Sequence, residues 1–184
     1  MADDTTETQQ PKPKVPLAPG NTISDGSVYP KGTILGPDGK PCRACNERSA
    51  FSALMSQASK KKATAVPKPP PTDCPPDVVE LGRSSWTLLH SIAATYPETP
   101  TPAQQNDLKS FMGLFSKLYP CWFCAQDFQK YIKKEEPRVR TRDEFGKWLC
   151  DAHNEVNRKL GKKEFDCRFW EERWKDGWKD GRCD

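Results

Sequence analysis

The chain has 184 residues with 29 Lys+Arg, 25 Asp+Glu and a formal net charge of +4, which lacks the basic footprint of a nucleic-acid binder. No run of about 18 apolar residues occurs, so no membrane-spanning helix is expected. "MADDTTETQQ" has neither a basic n-region with an apolar h-region nor Arg-rich amphipathic character, so neither a secretory signal nor a typical transit peptide is expected.

Residues 1–73 hold most of the 18 prolines but only two of the 18 aromatics, Tyr29 and Phe51, and read as a largely disordered tail. Within it, "DGKPCRACNERSAFSALM" (38–55) suggests a turn followed by a short amphipathic helix through Phe51, Leu54 and Met55. Residues 74–184 read as one helical domain. Its first helix is expected over about 76–96, with Leu81, Trp86, Leu89, Ile92 and Ala93 at helical spacing, closed by Pro97 and Pro100. The second opens at "TPAQ", where Thr101 is an N-cap, Pro102 the first helical residue and Gln104 the capping-box partner. Its buried stripe is Leu108, Phe111, Met112, Phe115 and Leu118.

Pro120 ends that helix and starts a third, over about 121–134. The fourth begins at a second capping box, "TRDE" (141–144), carries Phe145, Leu149, Val156 and Leu160, and ends at Gly161. A short fifth helix is expected over 167–174 behind Asp166. Four main helices on short connections make an all-α, four-helix bundle with a short fifth helix.

The eight cysteines point to an oxidising or thiol-handling compartment. They form two CxxC pairs, Cys42/Cys45 and Cys121/Cys124, and four scattered residues, Cys74, Cys150, Cys167 and Cys183. Two such pairs could build a Cys₄ zinc site, and a zinc-binding or structural interaction module is the alternative reading. The pairs are separated by two helices and a linker, however, where zinc ribbons separate theirs by roughly 15–20 residues. Redox chemistry has a direct physical basis instead. A thiol at a helix start meets unpaired backbone N–H groups and the positive end of the helix dipole, which favour the thiolate that attacks disulfides. Cys121, directly after Pro120, occupies such a start.

A redox dithiol on a helical scaffold calls for an electron acceptor. Arg83, Trp86 and His90 share one face of the first helix, and His153, Asn154 and Asn157 share one face of the fourth. Both histidines of the chain fall in these groups, beside rings and cations that could hold a planar, phosphate-bearing cofactor.

"LGRSSWTLLH" (81–90), "YPCWFC" (119–124), "HNEVNRKLGK" (153–162) and "RWKDGWKDG" (173–181) together resemble the flavin-linked sulfhydryl oxidases of the ERV/ALR family, over about residues 74–184. The likeness is strongest to the mitochondrial intermembrane-space type. It implies a bundle built around FAD, with Cys121/Cys124 as the flavin dithiol, Cys124 nearer the isoalloxazine and Cys121 exposed to incoming thiolates. It places FAD contacts at Gly82, Arg83, Trp86, His90, Tyr96, His153, Asn154, Val156, Asn157, Lys159, Lys162, Arg173 and Trp174, and a structural disulfide at Cys150 and Cys167.

"KPCRAC" matches the family's shuttle pair, so Cys42/Cys45 on the tail would pass electrons from a client dithiol to Cys121/Cys124. The resemblance also implies a homodimer bridged by Cys74 and Cys183. It implies oxygen or cytochrome c as the final acceptor, and a thiol-disulfide import oxidoreductase of the mitochondrial intermembrane space as client. That compartment imports cysteine-rich proteins without cleaved presequences, which fits the composition. Trp122 and Phe123, the aromatic spacers of the active pair, depart from the family pattern.

Overall fold

The computed structural model describes residues 21–22, 28–29, 32–47 and 74–183. After a two-residue antiparallel ribbon of β1 (Asn21–Thr22) and β2 (Val28–Tyr29), the architecture is helical. It comprises α1 (Val78–Thr95), α2 (Pro102–Leu118), α3 (Trp122–Lys134) and α4 (Arg142–Lys159). The main pairings are α1 with α4 and α2 with α3.

Local chemistry sets where each helix begins. Asp77 caps α1 by accepting from the Val79 and Glu80 amides at 3.0 Å each. Thr101 and Gln104 form the full reciprocal box expected for α2, with Pro102 at its first position. For α4 only half of the expected box forms. Thr141 Oγ1 accepts from the Glu144 amide at 3.1 Å, but the Glu144 carboxylate turns to the Arg140 guanidinium at 3.5 Å, a full charge in place of one backbone N–H. The helix then closes as anticipated at Gly161, with φ +64°. The Gly161 amide donates to Arg158 O and the Lys162 amide to Asn157 O at 2.8 Å, a Schellman closure that only a residue without Cβ adopts freely.

The core combines Leu89, Ala93 and Tyr96 of α1, Leu108 and Met112 of α2, and Phe145, Trp148 and Leu149 of α4, with Phe128, Tyr131 and Ile132 of α3 packed against it. Four residues of the expected stripes are not in it, two of them, Leu81 and Val156, half-buried. Leu118 is 78% exposed and Leu160 61%, because each sits at a helix end where periodicity continues but no neighbouring helix does.

The expected fifth helix is divided into a 3₁₀ turn, Cys167–Phe169, and a π turn, Glu172–Asp176. Two tethers set this segment. Cys167 is bonded to Cys150, and Trp170, 1% exposed, lies on Gly146, where an added Cβ would come within 2.6 Å of the indole. Asp166 caps the first turn as expected, accepting from the Arg168 amide.

Within the tract read as largely disordered, residues 32–47 are ordered. A turn over 36–40 closes with Gly36 N donating to Lys40 O, and Cys42–Cys45 follow in a 3₁₀ turn, Arg43–Cys45. Backbone and side-chain bonds to the helical domain supply the order that composition did not announce. The helix expected through Phe51, Leu54 and Met55 lies outside the described residues.

Candidate redox site

The Cys121–Cys124 pair is a disulfide with Cα atoms 5.3 Å apart. Cys121 is the N-cap of α3, and its Sγ accepts from the Cys124 amide at 3.2 Å. The expected placement of a sulfur at unpaired helix-start donors is therefore realised, and the same donor would stabilise a Cys121 thiolate. One implied property differs. Cys121, expected to face incoming thiolates, is 0% exposed, while Cys124 is half-buried. The start of α3 is where the 43–45 turn packs, and Cys45 is itself buried there at 6% exposure.

From Cys124, one turn along α3, Phe128 lies on the same face. It meets Trp86 of α1 edge-on at 6.3 Å, which connects the dithiol to a cluster of rings. In that cluster Trp86 stacks on His153 at 4.1 Å and 4°, and His90 stacks on Trp174 at 4.3 Å and 5°. His90 Nε2 and His153 Nδ1 are 3.1 Å apart, and the Arg173 guanidinium lies 4.1 Å over the Trp174 ring. α1, α4 and the π turn thus converge on four rings in two stacked pairs, which joins the two faces singled out in the sequence.

Burial, with His153 and Arg173 as lesser causes, lowers the His90 pKa to about 3. Burial, then Lys162 and Arg173, lowers that of His153 to about 4. Both imidazoles are neutral near pH 7, so each keeps one donor and one acceptor nitrogen. They share one hydrogen bond between them, and the buried His90 Nδ1 has no partner among the described residues.

The remaining expected contacts, together with Arg173 at the cluster's edge, divide into two groups. Gly82 opens onto free space where a Cβ would sit; Arg83, Lys162 and Arg173 are exposed and have no carboxylate partner among the described residues. The others have partners or packing of their own. Tyr96 is buried, its ring against Phe145 and its hydroxyl donating to Val139 O at 3.0 Å. Asn154 exchanges two bonds with the Phe165 backbone, and its Oδ1 accepts from Asn157 at 3.3 Å. Lys159 grips both oxygens of Asp127 at 2.9 and 2.8 Å, which holds its ammonium above the usual lysine range. Val156 is half-buried.

A planar heteroaromatic with phosphates fits this donor set: stacked neutral rings, a buried imidazole nitrogen with no partner among the described residues, Lys162 and Arg173 acting on the imidazoles, and Arg83 one turn from Trp86.

The sequence profile of the Erv1/Alr family matches residues 83–175. The chain belongs to the Erv1/Alr family. It is 46% identical over 161 residues to the mitochondrial FAD-linked sulfhydryl oxidase ERV1 of Saccharomyces cerevisiae, covering 76% of this chain and 85% of that protein. It is 41% identical over 164 residues to the mitochondrial FAD-linked sulfhydryl oxidase erv1 of Schizosaccharomyces pombe, covering 76% and 88%. The crystal structure of the yeast Erv1 core superposes with a TM-score of 0.58 at 54% identity, over 64% of this chain and 99% of that one. The Erv1/Alr match spans α1 to the π turn and so contains the dithiol and the whole ring cluster.

Two residues at this site carry interactions that sequence reasoning left unread. Trp122 donates its indole N–H to Leu35 O at 3.1 Å, a contact spanning 87 positions that no local pattern announces. Asn46 bonds Ile34 through both amide atoms, at 3.0 and 2.9 Å, and Cys42 O at 2.7 Å. Its place directly after "CRAC" was the available signal, since Asn side chains often close turns by bonding nearby backbone.

Proposed function

We propose that this chain makes disulfides by moving electron pairs from client dithiols to Cys42/Cys45, then to Cys121/Cys124 and an FAD held at the ring cluster. Its relatives are named FAD-linked sulfhydryl oxidases; the chain is a thiol oxidase and its cofactor is FAD. The observation that supports the finer reading is Phe128, one turn along α3 from Cys124 and edge-on to Trp86 at 6.3 Å. Trp86, His90, His153 and Trp174 hold the rings, while Gly82, Arg83, Lys162 and Arg173 receive the phosphates. When bound, FAD accepts the electron pair of the reduced dithiol and gives it up to oxygen or cytochrome c.

The protein's own part is thiol–disulfide exchange. A thiolate of the reduced tail pair attacks Cys121 Sγ, the Cys121–Cys124 bond breaks, and Cys124 leaves as a thiolate. The second tail thiolate then closes Cys42–Cys45 and frees Cys121. Two electrons pass from the tail to α3, and the donor bond from the Cys124 amide steadies Cys121 as the leaving group.

Residues 1–73 act as the shuttle-bearing tail and 74–184 as the oxidase domain. Two relatives are named mitochondrial, which supports a mitochondrial location; the proposed compartment is the intermembrane space, with an import oxidoreductase as client. Exposed Leu88, Leu114 and Leu118 on α1 and α2 offer apolar surface for a homodimer. Cys74 and Cys183 are unpaired within one chain and bridge the two subunits.

Visible spectroscopy during dithiothreitol turnover, with oxygen uptake, tests the function. The expected protein is yellow, bleaches on thiol addition and recovers as oxygen is consumed; a folded, colourless and inactive protein overturns it. Non-reducing electrophoresis should show a covalent dimer that Cys74→Ser abolishes.

A further inference from the structure

We propose that Trp122, the first spacer of the active pair, is a positioning residue whose indole N–H docks the Cys42–Cys45 loop over Cys121. The proposal rests on the shuttle reading above and adds what holds the shuttle in place. Indole nitrogen is a donor only, and here it meets Leu35 O at 3.1 Å. That carbonyl belongs to a small closed unit. Leu35 and Pro41 are bridged, the Cys42 amide donates to Ile34 O at 2.9 Å, and Asn46 ties Ile34 to Cys42 from the other side. Holding Leu35 therefore holds the disulfide.

Among the described residues, the loop's other hydrogen bonds to the helical domain reach the start of α1. Arg43 Nε donates to Pro75 O at 2.9 Å, and the Val78 amide to Asn46 O at 3.4 Å. Trp122 supplies the side-chain attachment to α3, next to the sulfur that must be attacked. Phe123, with 54% of its surface exposed and no side-chain N–H, cannot replace it.

All three attachments meet backbone atoms on at least one side, so the dock reads the shape of the loop. A docked loop presents its own sulfurs to Cys121 and leaves no exposed surface on Cys121 for other reductants. Trp122 then decides which disulfide partner reaches the pair first.

The test uses the full-length holoenzyme with Trp122→Phe, which keeps the aromatic ring and removes the donor, and Asn46→Asp, which keeps the shape and removes the amide donor. Hydrogen exchange is followed at the amides of Cys42 and Val78, and reduction of Cys121–Cys124 by tris(2-carboxyethyl)phosphine is followed by mass spectrometry. Loss of one hydrogen bond predicts exchange roughly fivefold faster in Trp122→Phe, with α2 and α4 core amides unchanged, and faster phosphine reduction of Cys121. Asn46→Asp should move both readouts in the same direction. Wild-type values in both variants overturn the dock. Cys42→Ser separates the two ideas: if it leaves thiol relay from the tail intact, the shuttle reading fails, whereas a lost relay with unmoved Trp122→Phe readouts sinks the dock alone.

Discussion

The two CxxC pairs share a motif and a Cα separation, 5.2 Å for Cys42–Cys45 and 5.3 Å for Cys121–Cys124, but their surroundings differ. Cys121 and Cys124 start a 13-residue helix whose later residues Phe128, Tyr131 and Ile132 pack on the core. Cys42 and Cys45 sit in a three-residue turn held by Asn46 and a few bonds to the domain. Opening the first pair's surroundings means unpacking a helix; opening the second's means breaking several part-exposed hydrogen bonds. A carrier that alternates between donor and acceptor needs the weaker hold, and a fixed site beside a cofactor needs the stronger one.

Predictions that break or sharpen this contrast begin with chemistry. Cys124→Ser should abolish oxygen uptake with every thiol donor. Cys42→Ser should spare turnover of small dithiols, which reach Cys121 whenever the loop undocks, and slow only protein dithiols; equal loss for both donors would remove the distinction between the pairs.

Next come changes confined to the helical region. Cys150→Ser opens a crosslink spanning 17 positions and should cost about 3 kcal/mol, read as a lower denaturant midpoint. Gly146→Ala drives a methyl into Trp170 and should cost about 1–3 kcal/mol. Neither should alter hydrogen exchange at Cys42, because the 32–47 loop hangs on α1 and α3 and not on this corner.

Acid should weaken the ring cluster. The folded values of about 3 for His90 and about 4 for His153 lie below the ordinary 6.5. Above pH 6.5 both states are neutral and the stability is intact. As pH falls below 6.5 the unfolded chain takes up protons that the folded chain refuses, so stability declines down to about pH 4 and then pH 3. Thermal melts between pH 7 and 4.5 should show this slope, flattened in His90→Gln. The smallest effect is expected from Asp127→Asn, a partly exposed partner of Lys159, at under about 1 kcal/mol in denaturant titrations.

Much of the domain was readable because its signals are local. Asp166, Thr101, Gln104 and Gly161 act within one turn of themselves, and they do what their positions suggested. Leu118 and Leu160 show the limit of periodicity, which registers a face but not whether another helix covers it. The division of the fifth helix arises from Trp170 meeting Gly146 across 24 positions, a contact with no local trace. Lys159 was legible as a cation on the proper face, but its commitment to Asp127 depends on how α3 lies against α4.

By itself the sequence determined the helices, the helix-start position of Cys121 and the pairing of cysteines at CxxC spacing, since capping and dihedral preferences act over a few residues. Only the tertiary structure decided that Cys121 is buried, that both histidines are neutral within one cluster of rings, and that Trp122 reaches Leu35. Burial and dielectric are properties of what surrounds a group, and the neighbours that matter here come from segments up to 87 residues apart.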